Sequence, residues 1–217
     1  MNLWQGKFDC ASTDSRTSWA WAVLQGDIWK THGQDVANCT PYLPGSFDRP
    51  PHNPAEKINS GYKAWEFLLY IFGLGPGLPY GVLPQPIWRS FCKLVSDIRT
   101  IYQLSTTRDQ LRTAHLHLIE FTAEFETLYV QRRADRIHFV RQSIHSLSHL
   151  APEASRIEPG ICYNLFSVDH GAKHWKSHRG NQARFNTLGQ SVTTSSRTCT
   201  NQRTQGYDSE ARQRYTE

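Results

Sequence analysis

Three histidines, His138, His145 and His149, recur at spacings of seven and four residues. On a single helix they share one face, and imidazoles one turn apart can serve as zinc ligands. No Glu or Cys accompanies them at ligand spacing. A histidine face opposite Ile137, Val140, Ile144 and Leu147 can equally meet solvent or cap a neighbouring helix, and that plainer reading is preferred. The three stand as weak metal candidates, and no cofactor is expected. His170, His174 and His178 repeat at i, i+4 and i+8, but Gly171 and Gly180 and the poor surroundings argue against a helix there. His115 and His117 cannot share a helix face, so they form no site.

Glu120, Glu124 and Glu126 sit close together, with the first two one turn apart. Two-metal nuclease chemistry needs carboxylates converging from different elements, which one helix face does not supply. A solvated face is expected instead. The string QRRADR supplies Arg132, Arg133 and Arg136, and Arg141 follows, so these four are the candidate nucleic-acid contacts through phosphate. Asp135 among them favours a solvated turn. The glycines of GLGPGLPYG follow no strand and lack a phosphate-loop Lys-Ser/Thr, so they read as a turn.

The elements that must position these residues are helical. Ser15 or Asp14 could cap a helix carrying Trp19, Val23, Leu24, Ile28 and Trp29, weakened at Gly26 and stopping at Gly33. The segment CTPYLPGSFDRPPHNP holds five prolines in sixteen residues and reads as an extended connector. Pro54 suits the first turn of a second helix through Ile58, Tyr62, Trp65, Leu69 and Phe72, ending at Gly73. A third is expected from about Pro86, carrying Trp88, Phe91, Leu94, Val95, Ile98 and Ile101. In the fourth, Thr107 and Gln110 form a capping-box pattern ahead of Leu111, Ala114, Leu118, Phe121, Phe125 and Leu128. The fifth runs from about Asp135 to Leu150, with Pro152 just past its end. No run alternates at period two. The expected fold is mainly α: an irregular bundle of about five helices with Pro-rich connectors and a disordered C-terminal tail.

Charge separates the tail from the rest. The chain carries a net +5, yet residues 1–162 hold 16 basic and 15 acidic residues, while residues 163–217 hold 8 and 4. The basic balance therefore belongs mostly to the tail and is no nucleic-acid footprint on the folded part. Ser, Thr, Gln, Asn and Arg dominate the tail, which has too little apolar surface to offset its ordering entropy. The expected organisation is an N-terminal helical segment (1–39), a Pro-rich connector (40–57), a helical region (58–162) and a low-order basic tail (163–217). Five cysteines without a CxxC pair argue against a zinc module or a disulfide scaffold. The longest greasy stretch, WEFLLYIFGLG, contains Glu66, so a soluble intracellular protein without a membrane partner is expected.

The block Thr40–Pro84, TPYLPGSFDRPPHNPAEKINSGYKAWEFLLYIFGLGPGLPYGVLP, resembles one in fungal CACTA-like transposases of the Plavaka group. The resemblance continues upstream in NLWQGKFDC and SWAWAVLQGDIWKTHG. Downstream it continues in WRSFCKLV, QRRADRIHFVRQSIHSLSHLAPE and EPGIC, and so covers residues 2 to 162. It implies a transposable-element origin and a nuclear location. In that family the counterpart of EPGIC is followed by a string like SSQWTMERTIGNLGEEIRQ, whereas this chain reads YNLFSVDHGAKHWKSHRGNQ, with no Glu. Val168–Ala172 can be written GTG GAC CAT GGA GCG, and one base forward that reads W-T-M-E and an Arg codon. Continued to Gln182, the shifted frame can spell WTMERSIGNLTEEIR.

A one-base disruption between Cys162 and Val168 is therefore expected. The resemblance implies DDE-type chemistry, in which carboxylates hold two divalent metals about 3.5–4 Å apart. It places the final acid in the WTMER string, where Gly171 stands here, and the first two acids upstream of Met1. The expected function is a catalytically inactive, transposase-derived fragment, not an enzyme, with no small-molecule substrate. The alternative is a retained nucleic-acid-binding or oligomerisation module whose partners are DNA or an intact transposase. A metal-dependent enzyme built on His138, His145 and His149 is the least favoured reading.

Overall fold

In a computed structural model, residues 1–43, 50–58, 61–103 and 105–156 are described. The expectations for the tail, for Cys162 and Cys199, for His170, His174 and His178, and for the frame change at Cys162–Val168 lie outside them. The chain is mainly helical, as its periodicity implies, and no strand occurs among the described residues. The helices are α1 (Gly26–Asn38), α2 (Pro54–Lys57), α3 (Ala64–Leu68), α4 (Gln85–Ile101), α5 (Arg108–Phe125) and α6 (Gln142–Arg156). Wider π turns follow α3 (Leu69–Leu74) and α5 (Glu126–Val130), and a 3₁₀ segment (Ala134–Phe139) precedes α6.

The described residues group into two compact units, one of residues 1–31 and 81–156, the other of residues 32–80. The division falls inside α1 and after Tyr80.

In the first unit, α4, α5 and α6 pack around Ile101, Ala114, Leu118 and Ala151, with Leu94, Leu111, Leu147 and Leu150 against them. The local signals explain α5 well. Thr107 Oγ1 accepts from Gln110 N (3.2 Å) and Gln110 Oε1 accepts from Thr107 N (2.8 Å), the full capping box. The expected face of α5 faces inward, with Ala114, Leu118, Phe121 and Phe125 buried.

Two expected helices in this unit are corrected. The Ser15 cap holds only a 3₁₀ turn, Arg16–Ser18. The next residues run irregularly because Trp19, Trp21 and Leu24 are all buried, and spacings of two and three cannot put all three on one α-helical side. The fifth helix is also divided. Ala134–Phe139 is 3₁₀, Ile137 and Val140 are exposed, and α6 begins only at Gln142. Pro152 lies inside α6 rather than beyond it, because Ala151 and Ala154 on either side are drawn onto the helical cluster.

In the second unit Pro54 does start a helix, with Asn53 as its cap (Oδ1 accepting from Ala55 N, 2.9 Å). It stops after one turn, and α3 starts afresh at Ala64, so the single helix expected from Pro54 to Gly73 is two. The separating sequence, Asn59-Ser60-Gly61, is rich in turn formers, and the Glu66 carboxylate accepts from Lys63 N at 2.8 Å at the new start.

Gly33 does not stop α1. Its missing side chain makes room for the Asn53 cap, since a Cβ there would lie 2.1 Å from Asn53 Oδ1 and 2.8 Å from Ala55 Cβ. Gly33→Ala is accordingly expected to destabilise by about 1–3 kcal/mol through overpacking, although alanine is the better helix former. A thermal melt followed by far-UV circular dichroism measures it, and an unchanged or raised midpoint would contradict the close approach.

Candidate functional site

The four candidate arginines follow the π turn after α5, where Gln131 and Arg132 both adopt left-handed backbone (φ 55° and 57°). That reversal sends the next residues back toward the N-terminal segment. Arg136 ends fully buried. Its Nε donates to Asp14 Oδ2 (2.8 Å) and its Nη2 to Asp14 Oδ1 (2.6 Å) and Ser18 Oγ (2.6 Å). Its Nη1 donates to Gln131 Oε1 (2.5 Å), and the guanidinium lies 5.3 Å from the centre of the Trp21 ring. The fork-on-fork geometry is the strong form of this pair. Arg133 pairs with Asp135 (2.7 Å) and Asp14 (3.3 Å), and also donates to Thr13 O.

Hydrogen bonding from Arg136, foremost, holds the Asp14 carboxyl well below the usual carboxylate range against the opposing effect of burial. Trp19 Nε1 adds a further bond to it at 2.8 Å. Arg136 is thus a core residue that no phosphate can reach, and Arg133 is engaged by two aspartates. Arg132 and Arg141 remain exposed, with Arg141 lying over the Phe8 ring at 4.7 Å. The turn expected of QRRADR is solvated at Arg132 and partly exposed at Arg133, while Arg136 goes into a buried ion pair with Asp14.

Aromatic rings enclose this network. Trp19 stacks on Trp21 (5.8 Å), and Phe139 meets both edge-on. Trp21 contacts Tyr129, whose hydroxyl accepts from Trp4 Nε1 at 2.9 Å, and Trp4 meets Phe91. Burial pushes the Tyr129 hydroxyl up to about 12.

The histidine face does not form. His138 sits in the 3₁₀ segment, bonds the Asp9 carbonyl (2.8 Å) and stacks on Phe8. His145 and His149 alone meet on α6, with their Nε2 atoms 3.2 Å apart in the exposed region. No group of three or more metal-ligating side chains occurs among the described residues. Cys10 and Cys92 are free thiols, and burial pushes that of Cys92 up to about 11.

Three further polar clusters carry no obvious sequence signal. Lys93 of α4 bridges Glu120 (3.0 Å) and Glu124 (2.6 Å) of α5, so the acidic face is paired rather than merely solvated. His117 Nδ1 bonds Asp97 Oδ1 at 3.0 Å, and burial raises the Asp97 carboxyl despite that contact. In the second unit, fully buried Glu66 contacts half-exposed His52 through Nδ1. Burial alone would raise Glu66, but the hydrogen bonds from Lys63 and His52 outweigh it and the carboxyl is lowered. Each partner lies on a different element, and no local spacing announces the pairing.

No helix among the described residues is long and apolar enough to cross a membrane. No protein-family model, curated protein or solved structure matches the chain.

Proposed function

We propose that this chain is a catalytically inactive remnant of a CACTA-like transposase. The reading is carried by the resemblance of residues 2 to 162, whose segments supply the first unit's packing. NLWQGKFDC contributes Trp4 and Phe8, SWAWAVLQGDIWKTHG contributes Trp19, Trp21 and Leu24, WRSFCKLV contributes Phe91 and Val95, and QRRADRIHFVRQ contributes Arg136 and Phe139. All are elements of the first unit's packing. Motifs that look functional in a sequence are here the scaffold of a helical unit. The carboxylates best placed for chemistry are engaged elsewhere: Asp14 by Arg136, Glu66 by His52, Asp97 by His117 and Glu124 by Lys93. The resemblance puts Gly171 where the family's final acid would stand.

The genomic DNA and transcript across the codons for Cys162–Gln182 test this directly. A frame one base forward that spells a WTMER-like string is the expected result, and one closed by stops and without that match would overturn the reading. The purified chain is also expected to show no DNA cleavage or strand transfer with Mg²⁺ or Mn²⁺.

A retained binding role is the second reading, with DNA or an intact transposase as partner and a nuclear location. The exposure of Arg132 and Arg141, against the burial of Arg136, favours a weak and salt-sensitive contact over a specific one. Arg136→Ala would then destabilise the fold, while a charge reversal at Arg132 and Arg141 would weaken DNA binding at unchanged stability. DNA affinity measured as a function of salt separates the two.

A further inference from the structure

Helix α5 is apolar on two sides. Its inner face, Ala114, Leu118, Phe121 and Phe125, is buried. Leu116 (58% exposed), Ile119 (45% exposed) and Ala123 form a second, exposed stripe at the spacing of one helix face, opposite the first. A helix with two apolar faces has a use for two partners, and only one face of α5 meets the rest of its unit.

Charge marks the ends of the outer stripe. Arg112 lies seven residues before Ile119 and Glu126 seven residues after it, both exposed and both outside the ion pairs of the described residues. Seven residues are just under two turns, about 10 Å of helix, so both charges fall on the stripe's own face. This arrangement complements itself when reversed. An antiparallel copy crossing at Ile119 sets Arg112 of one protomer beside Glu126 of its partner, twice, with Leu116 and Ile119 between. A parallel copy would set Arg112 against Arg112.

We infer that the outer face of α5 is a self-association surface, and that its occupant is a second copy of this chain packed antiparallel about Ile119. The contact is isologous, as a two-fold dimer requires. Built mainly from one helix pair, it belongs to the small, transient class of interfaces. Its end-to-end ion pairs are exposed, so it weakens as salt is added. None of this depends on a transposase origin, and the genomic test above leaves it untouched.

Sedimentation equilibrium of the full-length chain, at concentrations up to on the order of 100 µM, tests it. A reversible monomer–dimer equilibrium is expected. Leu116→Ser with Ile119→Ser should raise the dimer Kd by more than about a hundredfold, since four apolar side chains lose their cover. The far-UV spectrum and the melting midpoint should barely move, because those positions are exposed in the monomer.

Arg112→Glu and Glu126→Arg should each raise Kd by about tenfold, and the two together should restore it, which is the signature of the antiparallel register. A monomer at every concentration overturns the proposal, whatever else covers the stripe. So does a dimer indifferent to the serine pair. A dimer weakened by both single reversals but not restored by their combination overturns the antiparallel register.

Discussion

Asp14→Ala is expected to destabilise the chain by about 3–5 kcal/mol, the largest effect of any single polar substitution among the described residues. The cause is what it leaves behind. Arg136 is fully buried, and Asp14 takes two of its N–H groups at 2.8 and 2.6 Å. Removing one partner of a buried pair strands an uncompensated charge, and that costs more than the pair itself contributes. Trp19 Nε1 loses its acceptor too. The double variant Asp14→Ala/Arg136→Met should recover much of the loss, because an unbranched apolar side chain against Trp21 strands no charge. Urea unfolding followed by tryptophan fluorescence reads both, since Trp19 and Trp21 stand against the pair. A loss below about 1 kcal/mol would mean that the arginine finds water instead, and that its burial is not obligatory.

The same pair sets a pH dependence whose sign follows from the Asp14 carboxyl. Hydrogen bonding from Arg136 holds it below its ordinary value of 3.8 in the folded chain. A depressed carboxyl stabilises fully above the unfolded value and loses that contribution as pH falls below it. Stability of the unmodified chain should therefore drop steeply below about pH 4, and the double variant should show a shallower fall. Denaturant midpoints between about pH 2 and 7 distinguish the two profiles.

Leu118→Ala is expected to cost about 2–5 kcal/mol. Leu118 has no exposed surface and stands among Ile101, Ala114 and Ala151, where α4, α5 and α6 meet. Three helices cannot all close on the space it would leave, so the cavity contribution adds to the lost transfer free energy. Leu116→Ala, two residues earlier on the same helix but on its outer face, should stay within about 0.5 kcal/mol. The contrast between two leucines on one helix is a direct check of its rotational setting. Comparable losses at both sites would mean that α5 is turned, and would remove the outer stripe along with it.

The helical character of this chain, the start of α4 near Pro86 and the capped start and inner face of α5 were legible in the sequence by itself, because each rests on neighbours within a few residues. A capping box spans three positions, a proline acts on its own turn, and an amphipathic period repeats every 3.6 residues. These are local energies, and local spacing determines them. The fates of the arginines, histidines and first tryptophans were decided only by the tertiary structure. Arg136 and Asp14 lie 122 residues apart, so no pattern in QRRADR could distinguish a phosphate-facing cluster from a buried pair. The spacing of His138, His145 and His149 describes one helix face only if one helix runs through all three, and the break at Val140–Arg141 removes that condition. Gly33 reads as a stop until Asn53 is brought against it from twenty residues away. In each case the deciding free energy is that of burying a group against a partner remote in sequence, and the chain discloses that only once it has folded.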